Sequence, residues 1–93
     1  MKQAIWNAQV IAESESTIII ENNHYFPAKS LKTKFFKNND THTTCPWKGV
    51  ASYYDIEVDG KVNKDAAWFY PEASELANAI KGHVAFWKGV QVK

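Results

Sequence analysis

The stretch from Val50 to Tyr70 constrains this chain more than any other. Two runs rich in branched and aromatic residues, Val50–Val58 and Val62–Tyr70, flank the dipeptide Asp59-Gly60. Branched side chains are crowded at χ1 in a helix and favour extended backbone, and Asp-Gly between two such runs signals a hairpin. Two registers compete. A two-residue loop at Asp59-Gly60 pairs Ser52 with Ala67 and Tyr54 with Asp65, which puts Trp68 on the face opposite Val50, Tyr54 and Ile56. A three-residue loop, Val58-Asp59-Gly60, pairs Glu57 with Lys61, Ile56 with Val62 and Val50 with Trp68. It gathers apolar residues on one face and adds an opposite-charge pair, so it is the expected register.

Shorter pieces of the same kind surround this hairpin. Ala4–Trp6 and Val10–Ala12 read as a hairpin turning at Asn7, and Thr17–Glu21 and His24–Phe26 as a second one turning at Asn22-Asn23. Pro27 ends that ladder because it has no N–H to give. Ala28–Leu31 reads as one helical turn, Thr33–Lys37 as a strand, and the polar run Asn38–Thr44 as a loop. After Pro71, Glu72–Lys81 is the one stretch with helical spacing, carried by Leu76, Ala77 and Ile80 and closed by Gly82. His83–Lys88 and Val90–Val92 return as strands. Many short strands, one late helix and no βαβ alternation predict a mainly β fold: a small antiparallel domain with one short C-terminal helix.

Ninety-three residues make one domain, 1–93, with 45% apolar and 14% aromatic residues to fill its core. A formal charge of +1 provides no global field to attract nucleic acid or an anionic membrane. Met1–Trp6 is not backed by the apolar segment of a secretory signal, and a single cysteine forms no internal disulfide, so the expected compartment is cytoplasmic.

The chemistry concentrates in Cys45-Pro46-Trp47-Lys48-Gly49, a loop leading straight into the strand that begins at Val50. Cys45 is the only thiol and needs a neighbouring base or cation to become a nucleophile; Lys48 and His42 are at hand. The competing reading is a small packing residue. One cysteine and three scattered histidines, His24, His42 and His83, have no metal-ligand spacing, so no metal site and no cofactor is expected. Lys48 beside Gly49 is expected at the mouth of a cavity, its ammonium ready for an anion, with Tyr25, Tyr53, Tyr54, Trp68 and Tyr70 as lining. Solvated turn lysine and ordinary core aromatics are the bland alternatives.

Several blocks together resemble one bacterial family: Ile11-Ala12-Glu13-Ser14, Tyr25-Phe26-Pro27, Cys45-Pro46-Trp47-Lys48-Gly49, Ala51-Ser52-Tyr53-Tyr54, Ala66–Pro71 and Ile80–Trp87. That family is domain of unknown function 427, also labelled nucleotidyltransferase-like. The resemblance implies a β-rich architecture similar to the β-tent of methionine sulfoxide reductase B-like proteins. It also marks two departures, Ala8 where the family usually has Gly and His83 where it often has Tyr. No Gly-rich phosphate loop or paired carboxylates accompany the label. The expected function is binding of a small anionic or nucleotide-like ligand by Lys48, Tyr25, Tyr54, Trp68 and Tyr70. The alternatives are an enzyme using Cys45, Lys48 or His83 in the same pocket, and a protein–protein interaction domain.

Overall fold

The computed structural model describes all 93 residues. Nine strands form in chain order: β1 (Lys2–Trp6), β2 (Gln9–Ser14), β3 (Ile18–Ile20), β4 (Asn23–Tyr25), β5 (Phe36–Cys45), β6 (Gly49–Val58), β7 (Lys61–Phe69), β8 (Val84–Phe86) and β9 (Gln91–Val92). They make three antiparallel sheets, ordered β2-β1-β9, β3-β4 and β5-β6-β7-β8. The mainly β, antiparallel expectation holds.

Turn chemistry decides the register of the central hairpin. Asp59 and Gly60 both take left-handed φ (53° and 77°), and β6 and β7 pair Val58 with Lys61, Glu57 with Val62 and Ile56 with Asn63. This is the two-residue loop, and the three-residue register expected from apolar gathering is not formed. A two-residue turn with both φ positive matches the right-handed twist of its strands, and Gly at its second position meets the demand without strain. Val62 is left exposed as a result.

Beyond Ile56 the ladder shifts. Tyr54 pairs with Ala67 and Tyr53 with Trp68, so Lys64, Asp65 and Ala66 face Asp55 alone across a wide bulge. Side chains satisfy the backbone that the bulge frees. Asp55 Oδ1 accepts from the Asp65 amide at 2.9 Å, Asn39 Nδ2 donates to Asp55 at 2.7 Å and to Asp65 at 2.8 Å, and the Trp87 indole donates to the Asp65 carbonyl.

That network explains another departure. The polar run 38–44, expected as a loop, lies inside β5, and the strand expected at 33–37 begins only at Phe36, after a 3₁₀ turn at Thr33–Phe35. β5 is an edge strand with most of its side chains in solvent, so it needs no apolar alternation. Its Asn-Asn-Asp signal makes a bulge between Asn38 and His42 instead of a turn.

The helix expected at 72–81 is present only as a 3₁₀ segment, Glu75–Ile80, interrupted at Ala77 (φ −112°). Ser74 does not cap it. The Ser74 hydroxyl donates to the Trp47 carbonyl and its amide donates to the Lys48 carbonyl at 3.0 Å. Tertiary bonds to the Cys45–Gly49 loop thus fix the segment's entry, and only Ala77 and Ile80 are buried.

Side chains bury in two clusters. The larger holds Ile11, Phe26, Ile56, Ala67, Val84 and Phe86, with Phe36, Tyr54 and Phe69 packed against it. The smaller holds Tyr25, Ala51, Tyr70, Ala77, Ile80 and Ala85, with Trp47, Tyr53 and Trp68 at its margin. Strand alternation divides them, sending Tyr54 and Phe69 to one side and Tyr53 and Trp68 to the other.

The first hairpin turns at Asn7 and Ala8, at φ 51° and 62°. Asn tolerates this region, whereas an alanine Cβ crowds the following carbonyl there at a cost of roughly 1 kcal/mol. Replacing Ala8 with Gly is therefore expected to stabilise the fold by about 1 kcal/mol, visible as a rise of roughly 4–8 °C in the thermal midpoint. An unchanged or lower midpoint counts against the turn geometry.

Candidate functional site

Three pieces of backbone converge beside the smaller cluster. The Cys45–Gly49 link between β5 and β6 carries Lys48, the β6–β7 ladder carries Tyr53 and Trp68 with Tyr70 just past the end of β7, and the β3–β4 hairpin brings Glu21, Asn23 and Tyr25. The hairpin is docked through Phe26, whose amide and carbonyl exchange hydrogen bonds of 2.7 and 2.8 Å with Val84. Together with Trp87 these side chains line an open cavity of about 170 Å³.

Lys48 is the one buried charged residue of the chain, 5% exposed. Its ammonium donates to the Glu21 carboxylate and stands 4.7 Å from the Trp47 ring centre and 5.9 Å from that of Tyr70. Burial alone would push this ammonium down. The hydrogen bond to Glu21, with Tyr25 and Cys45 nearby, outweighs it and holds the pKa above the ordinary lysine value. The expectation of a free ammonium at the cavity mouth is thereby corrected: Lys48 lies in the wall and already has a partner.

The loop geometry that places it depends on Gly49. Gly49 takes φ 113°, and a Cβ there would stand 3.1 Å from the Glu72 carbonyl oxygen, so a side chain meets both a forbidden backbone region and a clash. Burial pushes the phenols of Tyr25 and Tyr70 upward, so both remain neutral donors throughout the neutral range. The Tyr25 hydroxyl also accepts from the Trp68 indole at 3.2 Å, and the Tyr53 hydroxyl is bonded to Thr43 Oγ1 at 2.8 Å.

Of the expected lining, Lys48, Tyr25, Trp68, Tyr70 and Tyr53 are brought together, and Tyr54 is not. Tyr54 stacks on Phe69 with ring centres 4.7 Å apart and meets Phe36 edge-on at 5.5 Å, within the larger cluster. The reason is parity. In the expected register Tyr54 and Trp68 share a face; in the actual one Trp68 pairs with Tyr53.

His83 is also outside the cavity, its Nδ1 3.3 Å from the Lys81 carbonyl. Cys45 ends β5 next to the cavity without lining it. Burial pushes its thiol up, but the amides of Trp47 and Lys48 and the Lys48 ammonium bring it below the ordinary thiol value. His24 and His42 bond to Thr17 and Ser52 in separate parts of the chain, and no three His, Cys, Asp or Glu side chains are grouped to hold a metal ion.

Sequence reasoning missed Glu21 and Asn23. Glu21 occupies the first position of the β3–β4 turn at φ 53°, followed by Asn22 at 64°, so the turn is Glu21-Asn22 and not Asn22-Asn23. Nothing in its residue type announces that conformation. A non-glycine residue held there costs on the order of 1–3 kcal/mol and is a pointer to function.

The profile of the Domain of unknown function (DUF427) family matches residues 2–93. The chain belongs to that family. The DUF427 name carries a nucleotidyltransferase label, and no curated protein matches the chain. Within this DUF427 chain the cavity offers one carboxylate, Glu21, already engaged by Lys48.

The thiol provides a direct check on this geometry. Alkylation of Cys45 by iodoacetamide is expected to reach half its limiting rate at a pH below that of an ordinary cysteine, because a lowered pKa leaves more thiolate at neutral pH. Lys48→Met is expected to move that midpoint upward. A pH–rate profile that sits at the ordinary value in both proteins contradicts the placement of Lys48 beside Cys45.

Proposed function

We propose that this DUF427 domain binds a small molecule bearing a carboxylate or a single phosphate, with Lys48 as its counter-charge and Tyr25 and Tyr70 as neutral donors. The observation that carries this reading is the burial of Lys48 in a cavity wall. An ammonium withdrawn from water carries a desolvation cost, and a structural role alone would be served by an apolar side chain of the same length. Its partner is poorly suited to a purely structural pair, because the Glu21 side chain is 57% exposed. Glu21 is able to swing into water and yield its place to an incoming anion.

Size narrows the ligand. Cavities for drug-sized molecules span roughly 300–1,000 Å³, and about 170 Å³ suits a single ring or a short acid more than a whole nucleotide. The nucleotidyltransferase label gains no support from the lining, where two-metal phosphoryl transfer would draw on several carboxylates. A second reading, an enzyme with Cys45 as nucleophile, is favoured by the place of that thiol beside the Lys48 ammonium and the Trp47 and Lys48 amides, which hold its pKa below the ordinary thiol value.

Titration of the ¹⁵N-labelled protein with acetate and with inorganic phosphate tests the binding reading. Saturable shifts are expected at Lys48 and at the Trp68 indole N–H, and Lys48→Met is expected to weaken binding at least tenfold. The same variant should retain its fold, with stability within about 1 kcal/mol of the parent, because the carboxylate it leaves unpaired is hydrated. Equal binding by Lys48→Met, or shifts confined to another surface, overturn the assignment.

A further inference from the structure

We propose that the ligand is a small zwitterion, a carboxylate joined through one or two carbons to an alkylated ammonium. Its carboxylate meets Lys48 and its ammonium lies among the aromatic rings beside Glu21. This rests on the anion-binding reading above and specifies the other half of the molecule.

Charge balance gives the first argument. The lining holds one cation, Lys48, and one anion, Glu21, in contact with each other. A simple anion arriving at Lys48 confronts the Glu21 carboxylate, and like charges a few ångströms apart repel. A ligand that brings its own cation replaces the Lys48–Glu21 pair with two pairs, carboxylate on Lys48 and ammonium on Glu21. Both protein charges stay compensated, and none is expelled.

The rings give the second. Trp68 meets Tyr25 at 89° with centres 6.2 Å apart, and meets Trp87 at 77° with centres 5.7 Å apart, so neighbouring walls stand nearly perpendicular. Their polar handles are already engaged: the Trp68 indole by the Tyr25 hydroxyl, the Trp87 indole by the Asp65 carbonyl, and the Tyr53 hydroxyl by Thr43. What these side chains still offer is π surface, which attracts a cation within about 6 Å of a ring centre. The cluster already hosts one such cation, since Lys48 stands over Tyr70; Lys88, at 5.1 Å, covers part of Trp87 from the rim. An unalkylated ammonium has three N–H donors to satisfy. With one carboxylate and the Asn23 amide oxygen as acceptors beside five aromatic residues, the cavity suits an alkylated one better.

The third is the strained placement of Glu21. A glutamate at φ 53° in a two-residue turn occupies a position that Asn or Gly fills without strain. That turn delivers a carboxylate to the cavity from the opposite hairpin.

The experiment compares glycine betaine, acetate and tetramethylammonium on the intact protein, following tryptophan fluorescence and indole N–H shifts. Betaine is expected to bind at least tenfold more tightly than acetate or tetramethylammonium. Glu21→Gln should separate the two ligands in opposite directions, weakening betaine at least fivefold while strengthening acetate by removing its competitor. If acetate binds as tightly as betaine, or Glu21→Gln strengthens both, the zwitterion inference fails while anion binding at Lys48 stands. If none of the three compounds binds, both readings fail together.

Discussion

The hydrogen bonds joining Asn39, Asp55 and Asp65 hold the irregularity on which the rest of the site depends. A bulge of this kind frees an amide and a carbonyl inside the widest sheet, and an unpaired polar group there would cost about 1–3 kcal/mol. The Asp55 carboxylate takes the Asp65 amide, the Trp87 indole takes the Asp65 carbonyl, and the Asn39 amide bridges both carboxyl groups. Three strands and the start of the C-terminal segment are tied at one point. The displaced register then places Trp68, in place of Ala66, opposite Tyr53, and the same bond that closes the bulge holds Trp87 over the cavity rim. The wall of the site and the defect in the ladder are one arrangement.

A second constraint holds the charge. Lys48 lies on a short link whose entry is stiffened by Pro46 and whose exit is Gly49, packed against the Glu72 carbonyl. Ser74 bonds both the Trp47 and Lys48 carbonyls, so the segment after β7 clamps the link from outside. Little of the lysine backbone would be left to order on binding the proposed ligand, which would reduce the entropic cost. The exposed member of the ion pair is Glu21. Rigid cation and exposed carboxylate make an asymmetric pair, the arrangement expected where the carboxylate yields or is re-paired.

Much of the fold was legible because its signals were local. Asp59-Gly60 and Asn7-Ala8 announce hairpins, Pro27 ends a ladder, and the Ile18–Ile20 run is extended. What failed was decided over distance. Counting apolar residues favours a register that the turn's own backbone forbids, and that single step puts Tyr54 on the same face as Trp68 and so into the expected site. The polar run 38–44 carries the composition of a loop, and it is a strand because Asn39 finds partners on β6 and β7. The helical spacing at 76–80 is real, but Ser74 is committed to the Cys45–Gly49 link and not to a helix cap. Cys45, Lys48 and Gly49 were visible as a reactive loop. Glu21 was not, since its role comes from a turn conformation that its side chain does not favour.

Ala8, second in its two-residue turn, and Glu21, first in its own, both take left-handed φ, yet the strain has different meanings. Ala8 is exposed and does not line the cavity. Relief there is a matter of stability alone. At Glu21 the same backbone cost is coupled to a hydrogen bond with the buried ammonium, and glycine in its place would relax the turn but remove the carboxylate that compensates Lys48. The stability of the β3–β4 turn and the electrostatic balance of the cavity therefore pull in opposite directions at one residue. A chain selected for stability alone would place Asn or Gly at position 21. The glutamate is what couples this turn to the buried charge of the cavity, a coupling that the other hairpin turns lack.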